Sequence, residues 1–310
     1  MYIQQLTLFD NLQHDRIVNV ASVPQRSPFR YPGGKTWLVP HLRRWLSRHA
    51  RRQLNIMPVR PAQFIEPFAG GGIASLTVAA EDLADLVTMV EIDENVAAVW
   101  QTILHEEYWA WFAQQIVSFD LTDENVEAYL ARTNLTLKEQ AFSTLLRNRI
   151  NRGGILAQGA GRVKNGEAGK GIRSRWYPAT LEKRIRNIAQ MRTRITFICG
   201  DGLATLRENA DQTDAVFFID PPYTAAGKKA GTRLYKYSEL NHEELFWIAS
   251  RLRGDFLMTY DDTDEIRSLA QQYGLDIQMV PMKNTHHTKM QELLIGPNLA
   301  WLHFFPDINA

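Results

Sequence analysis

Apolar and polar positions along the chain follow two periods, one typical of buried strands and one typical of amphipathic helices. Short apolar runs at 63–68 and 86–93 predict two strands, and each is followed by a stretch with helical spacing. The same order returns later, where runs at 194–201 and 214–220 predict two further strands. Strands that alternate with helices indicate a doubly wound parallel sheet, and therefore an α/β fold.

The last part of the chain is again rich in apolar segments. A run at 255–260 predicts another strand, followed by a stretch with helical spacing. Three more runs, at 275–282, 290–297 and 299–305, predict strands that close the sheet.

The alternation of strands and helices is interrupted between residues 106 and 190. Helical spacing up to about residue 150 gives way to a glycine-rich stretch without a sustained period. An insertion of this length predicts a separate, mainly helical and loop-rich subdomain. The predicted organisation is a flexible leader at 1–27, one domain built from 28–105 and 191–310, and an inserted subdomain at 106–190.

Composition narrows the class of protein. The chain has 310 residues and a single cysteine, Cys199, which excludes a disulfide framework or a zinc cluster made of thiolates. The first residues are charged and do not resemble a signal peptide, and no apolar run approaches the ~20 residues of a membrane span. We therefore expect a cytoplasmic protein that does not enter a membrane.

Charge is distributed unevenly along a chain whose formal net charge is +1. Between Arg147 and Arg194 there are thirteen lysines and arginines, but only two acidic residues, Glu167 and Glu182. A basic segment within an otherwise acidic chain predicts contact with a polyanion, although a solvated charged surface is the plainer alternative. The glycine and aromatic residues in this segment favour nucleic acid.

Two glycine motifs have different meanings. The sequence "EPFAGGG" at 66–72 follows a predicted strand and opens a helix, and Glu91 ends the next strand, where an acid can bind ribose hydroxyls. This pattern predicts a cofactor that contains a nucleoside, but its glycine spacing disfavours NAD(P). The sequence "YPGGKT" lacks the first glycine of an ATP-binding phosphate loop, because Phe29 stands at that position.

The sequence "FFIDPPY" at 217–223 ends a predicted buried strand with a carboxylate, two prolines and an aromatic ring. Open α/β sheets bind ligands at the carboxyl ends of their strands, and proline fixes the backbone there. The Asp220 carboxylate and the Pro221 carbonyl can accept both hydrogens of an exocyclic amine and so localise its lone pair. Tyr223 can stack on an extruded base. This arrangement predicts direct methyl transfer through positioning and electrostatics, without a metal.

Taken together, these motifs resemble the Dam-like, group alpha, DNA adenine N6-methyltransferases. The resemblance rests on "FRYPGGK", "EPFAGGG", "VEID", "NRINRGG", "SRWYPATLEKRI", "FFIDPPY" and "KMQELLI", which span residues 29–296. It implies a Rossmann-like methyltransferase sheet, S-adenosylmethionine as methyl donor, adenine in double-stranded DNA as acceptor, and target recognition by the inserted subdomain. A monomer is the simplest expectation for this class.

The resemblance also implies roles for single residues. The catalytic residues would be Asp220, Pro221, Pro222 and Tyr223. The cofactor site would be formed by Tyr31, Gly33, Gly34, Lys35, Phe68, Ala69, Gly70, Gly72, Glu91, Asp201 and Asp220. Relatives often have tryptophan at the position of Tyr31 and aspartate at that of Glu91, and Asp93 is an alternative to Glu91 as the ribose ligand.

In the inserted subdomain, the expected DNA contacts are basic side chains. They are Arg147, Arg149, Arg152, Arg162, Lys164, Arg173 and Arg175. Most of them would bind phosphate, and one or two would read guanine edges. Trp176 and Tyr177 could wedge into the base stack, although core packing is slightly favoured for both.

A short motif lies near the start of the chain. The sequence "QLTLF" resembles the peptide by which bacterial proteins dock on the replication sliding clamp, with Gln5, Leu6, Leu8 and Phe9 as the contacts. The alternative is a leader strand that folds onto its own domain.

Other functions are compatible with parts of this pattern. Cytosine N4 methylation requires the same amine geometry, and an RNA adenine is a further substrate option. A non-catalytic DNA-binding protein on the same fold is the alternative from another class, but such a protein would not need the three intact motifs.

Overall fold

The computed structural model describes residues 23–30, 34–51, 60–157, 159–222, 240–283 and 289–302. Seven strands form one sheet: β1 Gln63–Glu66, β2 Leu86–Glu91, β3 Ile195–Cys199, β4 Ala215–Ile219, β5 Asp255–Asp261, β6 Asp276–Lys283 and β7 Lys289–Gly296. The α-helices within the described residues are α1 Val39–Arg51, α2 Ile73–Ala80, α3 Glu94–Leu104, α4 Tyr108–Ser118, α5 Asp123–Leu130, α6 Leu137–Ile150, α7 Pro178–Gln190, α8 Gly202–Glu208, α9 His242–Ala249 and α10 Asp264–Gln272.

The strand order in the sheet is β3-β2-β1-β4-β5-β7-β6. The first five strands in this order are parallel, which confirms the predicted strand–helix alternation. β7 runs antiparallel to both β5 and β6, so the sheet is mixed, and the α/β class is correct. The chain order reverses between β1 and β4, and such a switch point opens a ligand crevice at the carboxyl ends of the strands.

The predicted strand at 299–305 is wrong in the part that the structure describes. Ala300–Leu302 form a 3₁₀ turn, in which the Leu302 amide donates to the Leu299 carbonyl at 3.0 Å. Trp301 and Leu302 are buried, so their apolar character comes from packing and not from a place in the sheet.

In the segment 106–190, helices α4, α5 and α6 precede the glycine-rich stretch and α7 follows it. That stretch contains short 3₁₀ turns and one antiparallel bridge between Asn151 and Arg162. Apolar side chains of the insertion, among them Phe142 and Trp176, belong to the same buried cluster as Trp100 of α3 and Phe64 of β1. The insertion is therefore packed onto the sheet domain through a shared core.

Among the described residues, no helix combines the length and the apolar character needed to cross a bilayer.

Candidate active site

Backbone groups of the glycine turn between β1 and α2 form hydrogen bonds with β2 and α3. The Ala69 amide donates to the Val90 carbonyl at 2.8 Å, and the Trp100 indole donates to the Gly70 carbonyl at 3.0 Å. Gly72 has a φ of +64°, and a Cβ there would lie 2.5 Å from the Met89 methyl carbon. This position requires glycine for both its dihedral angle and its space.

Glu91, at the end of β2, fixes this turn from the neighbouring strand. Its Oε2 accepts from the Gly70 amide at 2.9 Å, and its Oε1 accepts from the Asp93 amide at 2.8 Å. Burial raises the pKa of the Glu91 carboxyl to about 7. Asp93 instead caps α3, because its Oδ1 accepts from the Asn95 amide at 2.9 Å. Glu91 is thus the acid that lies against the glycine turn.

Asp201 lies on the same edge of the sheet as Glu91. The Gly200 amide donates to the Glu91 carbonyl at 3.0 Å, and Asp201 caps α8 by accepting from the Leu203 amide at 3.0 Å. A Cβ on Gly202 would lie 2.3 Å from the Pro67 carbonyl oxygen and 2.9 Å from the Phe68 ring. The structure therefore brings Phe68 and the Asp201 turn together beside the glycine loop.

Ile92, which the sequence analysis did not single out, is 44% exposed directly after Glu91. An exposed apolar side chain at the carboxyl end of a strand, beside a glycine turn, is suited to contact the base of a nucleoside. Its place at the end of a predicted strand was the sequence signal that could have identified Ile92.

Asp220, at the end of β4, is held by two other elements. Its Oδ1 accepts from the Thr259 hydroxyl at 2.7 Å and lies 3.0 Å from the Lys35 ammonium. Lys35 is itself buried and lies 3.4 Å from Glu292 Oε1. The structure thus joins the predicted residues Lys35 and Asp220, and adds Thr259 and Glu292, which the sequence analysis did not assign.

Several carboxyl groups are buried around Asp220. Burial raises the pKa of Glu66 to about 8, although its Oε2 accepts from the Ser75 amide at 2.9 Å. Burial, Asp220 and Asp261 raise the pKa of Glu292 to about 7, against the lowering effect of Lys35. The site concentrates carboxyl groups whose ionised forms a bound cation would favour.

Not every predicted site residue lies in the described part of the chain. Tyr31, Gly33, Tyr223 and the four clamp-motif residues Gln5, Leu6, Leu8 and Phe9 are outside it. Within it, Gly34 is exposed beside Lys35, Pro221 is buried and Pro222 is partly exposed.

The predicted DNA-contacting side chains of the insertion fall into three groups. Arg147, Arg152 and Lys164 are exposed. Arg162 pairs with Glu127, and Arg173 donates to the Leu121 carbonyl at 2.8 Å and to Asp120 Oδ1 at 3.4 Å. Arg149 is buried and Arg175 is partly exposed. Only the first group is both exposed and outside these internal ion pairs.

Arg149 has an unusual environment. Its side chain is only 4% exposed, and its Nε has no hydrogen-bond partner in the part of the chain that the structure describes. Burial, together with the positive charges of Arg184, Arg30 and Arg175, lowers its pKa to about 9. Such a concentration of guanidinium groups attracts an anion.

The two aromatic residues after these arginines behave differently. Trp176 is buried against Phe119 and Phe142, so core packing is correct for it. Tyr177 is 47% exposed, with its hydroxyl donating to the Ser174 carbonyl at 2.8 Å, so core packing is wrong for its ring.

Asn148 connects the insertion to the segment before Lys35. Its Oδ1 accepts from the Arg30 amide at 2.8 Å, and its Nδ2 donates to the carbonyls of Arg30 at 2.9 Å and Gly154 at 2.7 Å. A Cβ on Gly154, whose φ is +77°, would lie 2.0 Å from the Arg30 carbonyl oxygen. The sequence analysis noted "NRINRGG" but assigned no role to this asparagine.

A sheet with a switch point, a glycine turn backed by an acid, and a carboxylate at the end of β4 define an α/β enzyme that binds a nucleoside cofactor. The family model for D12 class N6 adenine-specific DNA methyltransferases matches residues 31–283. The chain therefore belongs to this family and is a methyltransferase, and the family and fold imply S-adenosylmethionine as the methyl donor.

Comparisons with solved structures give distant similarities. The rRNA methyltransferase aviRa from Streptomyces viridochromogenes is 12% identical, with 88% of each chain covered and a TM-score of 0.39. A methyltransferase from Geobacter sulfurreducens is also 12% identical, with 95% of this chain and 86% of that chain covered and a TM-score of 0.36. No curated protein gave a significant match.

The residues on this edge of the sheet fit S-adenosylmethionine. Glu91 and the glycine turn are suited to its ribose. Glu292 Oε2, a buried oxygen without a hydrogen-bond partner among the described residues, belongs to a cluster suited to a positively charged sulfonium.

Proposed function

We propose that this protein methylates the N6 amine of an adenine extruded from double-stranded DNA. The observation that carries the proposal is the position of Asp220, whose Oδ1 is fixed by Thr259 and Lys35 at the carboxyl end of β4. Membership of the family supports adenine as the base and DNA as the substrate.

The adenine amine is a poor nucleophile because its lone pair is delocalised into the ring. The Asp220 carboxylate and the Pro221 carbonyl would accept its two hydrogens and localise the lone pair. Lys35 stabilises the negative charge of Asp220 at 3.0 Å, and Thr259 orients the carboxylate, so the acceptor needs no reorganisation during the reaction. S-adenosylmethionine, when bound, supplies an electrophilic methyl group on a sulfonium.

The donor site in this proposal lies beside Asp220, along the carboxyl ends of β1 and β2. Glu91 would hold the ribose hydroxyls while it continues to bind the Gly70 amide. Ile92, and the Asp201 turn beside it, would contact the adenine of the donor. Tyr223 would stack on the extruded base, and Tyr31, Gly33 and Gly34 would complete the donor site.

DNA binding is proposed for the insertion. The exposed Arg147, Arg152 and Lys164 would contact phosphates, and the buried Arg149 would bind one phosphate with fewer competing waters. Binding to a sliding clamp through the "QLTLF" motif is a separate prediction.

The test is long-read sequencing of DNA from cells that express the chain, beside cells that express Asp220→Ala. We expect N6-methyladenine at one short motif in the first sample and its loss in the second, because removing one preorganised polar group costs about 10²–10³ in rate. Asp211→Ala, an exposed change at the opposite end of β4, is the control and should leave the signal intact.

Methylation by Asp220→Ala at the normal level would contradict the role of this carboxylate. Finding N4-methylcytosine in place of N6-methyladenine would show that the proposed target base is wrong. Methyl transfer to RNA alone, measured with labelled donor, would replace DNA as the substrate.

A further inference from the structure

Glu292 is an acid at the start of a buried apolar stretch of β7. It is 4% exposed and pairs in register with Asp261, because antiparallel β7 begins at the edge where β5 ends. Its Oε1 lies 3.4 Å from the Lys35 ammonium, and its Oε2 has no hydrogen-bond partner among the described residues. A buried carboxylate oxygen without a partner costs free energy, so the surroundings of Glu292 favour its protonated form.

The charges that face Glu292 come from three elements. Lys35 precedes α1 and favours the ionised carboxylate, whereas Asp220 after β4 and Asp261 of β5 disfavour it. Lys35 is shared, since Asp220 Oδ1 is nearer to it, at 3.0 Å, than Glu292 Oε1. Among the described residues, the Lys35 ammonium is therefore shared by two carboxyl groups, and a cation bound beside Asp220 would favour the ionised form of Glu292.

We propose that Glu292 makes the site sense the charge of the methyl donor, releasing its proton when the cationic sulfonium binds and keeping it when the neutral thioether product binds. The inference rests on the proposed function for the place of the sulfonium beside Asp220. In this inference, Glu292 lets the site discriminate between donor and product, which differ by one methyl group and one positive charge.

The charge balance of methyl transfer agrees with this role. The C–S bond breaks, its electron pair stays on sulfur, and an N–C bond forms. The amine then gives up one proton, at the moment when the positive charge on sulfur has disappeared. An ionised Glu292 can take up that proton through Asp220 and Lys35, so that the buried site has the same net charge before and after transfer.

The experiment is calorimetric titration of the full chain with S-adenosylmethionine and, in parallel, with S-adenosylhomocysteine. Each titration is repeated in two buffers of different ionisation enthalpy, so that the protons released on binding are counted. The product is a matched control, because it has the same amino, carboxyl and nucleoside groups. Any proton that those groups exchange cancels in the difference between the two ligands.

With a pKa of about 7 in the free protein, Glu292 should release about half a proton at pH 7 when the donor binds, and the product should release none from it. If donor binding ionises Glu292 fully, the ratio of donor affinity to product affinity should rise about tenfold between pH 6 and pH 8. Equal proton release by the two ligands, or a ratio that does not change with pH, would overturn the inference.

Two variants assign the effect to a residue. Glu292→Gln should abolish the extra proton release and flatten the pH dependence of the affinity ratio, while product binding shows that the site is still folded. Glu66→Gln removes the other buried carboxyl group that is coupled to Asp220 and should keep the extra release. Normal release by Glu292→Gln, or loss of release only in Glu66→Gln, would assign the proton elsewhere and overturn the inference.

This test is independent of the nucleic acid, because no DNA is present. Donor-specific proton release without any methylated base would leave the inference standing and contradict the proposed function. Methylated adenine without such release would support the proposed function and contradict the inference.

Discussion

Arg149 is a buried guanidinium whose pKa is lowered by burial and by the positive charges of Arg184, Arg30 and Arg175, against a raising effect of Tyr177. Because its Nε has no hydrogen-bond partner among the described residues, burial of this charge costs the fold free energy. We expect Arg149→Met to leave the melting temperature unchanged or to raise it by a few °C, because a long apolar side chain of similar shape replaces the charge. We also expect DNA affinity to fall about tenfold, the typical loss of one charge-assisted hydrogen bond.

The control for this prediction is Arg186→Met. Arg186 lies on α7 of the same insertion, but it is exposed and pairs with Glu182. We expect its stability to change by less than about 0.5 kcal/mol and its DNA affinity to change little. Thermal melting measures the stability of both variants, and a binding isotherm measures their DNA affinity. A clear drop in melting temperature for Arg149→Met would make this arginine a structural residue.

Single residues at the site were predictable where a local motif marked them. Glu91 ends β2 and Asp220 follows β4, so a local motif was enough to place both residues at the carboxyl edge of the sheet. Thr259 and Glu292 were missed because their contacts join distant parts of the chain, 39 residues apart for Thr259 with Asp220 and 257 for Lys35 with Glu292. Such contacts depend on which strands become neighbours, and the apolar period of a strand does not contain that information.

Between β1 and α2, the turn depends on a left-handed glycine that packs against two buried side chains. Gly72→Ala would force a Cβ to within 2.5 Å of Met89 and 3.0 Å of the Trp100 ring, in addition to the strain of a φ of +64°. We expect a loss of about 2–4 kcal/mol in the free energy of unfolding, from backbone strain and overpacking together. Donor binding should weaken as well, because the Gly70 amide and Glu91 are tied to this turn.

Gly274→Ala separates the two causes. Gly274 has a φ of +65°, and a Cβ there would meet no atom within 4 Å. This variant should cost about 1 kcal/mol from backbone strain alone. Urea unfolding of both variants measures the difference, and equal losses would show that the packing around Gly72 adjusts to the extra methyl group.

Strands and helices were predicted well where the apolar pattern continued over many residues. They were predicted less well where apolar residues fill the core from outside a strand or helix. The five parallel strands and the helices of the insertion follow from the pattern. The direction of β7 could not be predicted, because parallel and antiparallel strands bury the same residue types. The segment around Trp301 looked like a strand because it is apolar, but its side chains fill the core from a 3₁₀ turn.

On the scale of the whole molecule, the proposed function requires the basic insertion and the acidic edge of the sheet to face one substrate. Asn148 holds them together, because its side chain binds the backbone of Arg30, a few residues before Lys35, and of Gly154 in the insertion. This connection gives the insertion a fixed position relative to Asp220. Under the proposed function, the exposed basic side chains would set the register of a duplex relative to the reacting amine.

This arrangement predicts how DNA binding depends on salt. Replacing Arg147, Arg152 and Lys164 together by glutamine should reduce the slope of log affinity against log salt by about 0.9 for each phosphate contact that is lost, hence by about 2.7 if all three bind phosphate. The matched control replaces Lys183, Arg186 and Arg192, basic residues of the same segment, and should change the slope much less. Binding isotherms at four salt concentrations measure both variants. Equal slopes would mean that net charge alone attracts the duplex, whereas a reduction confined to the first set would locate the phosphate contacts on the part of the insertion that Asn148 fixes beside the active site.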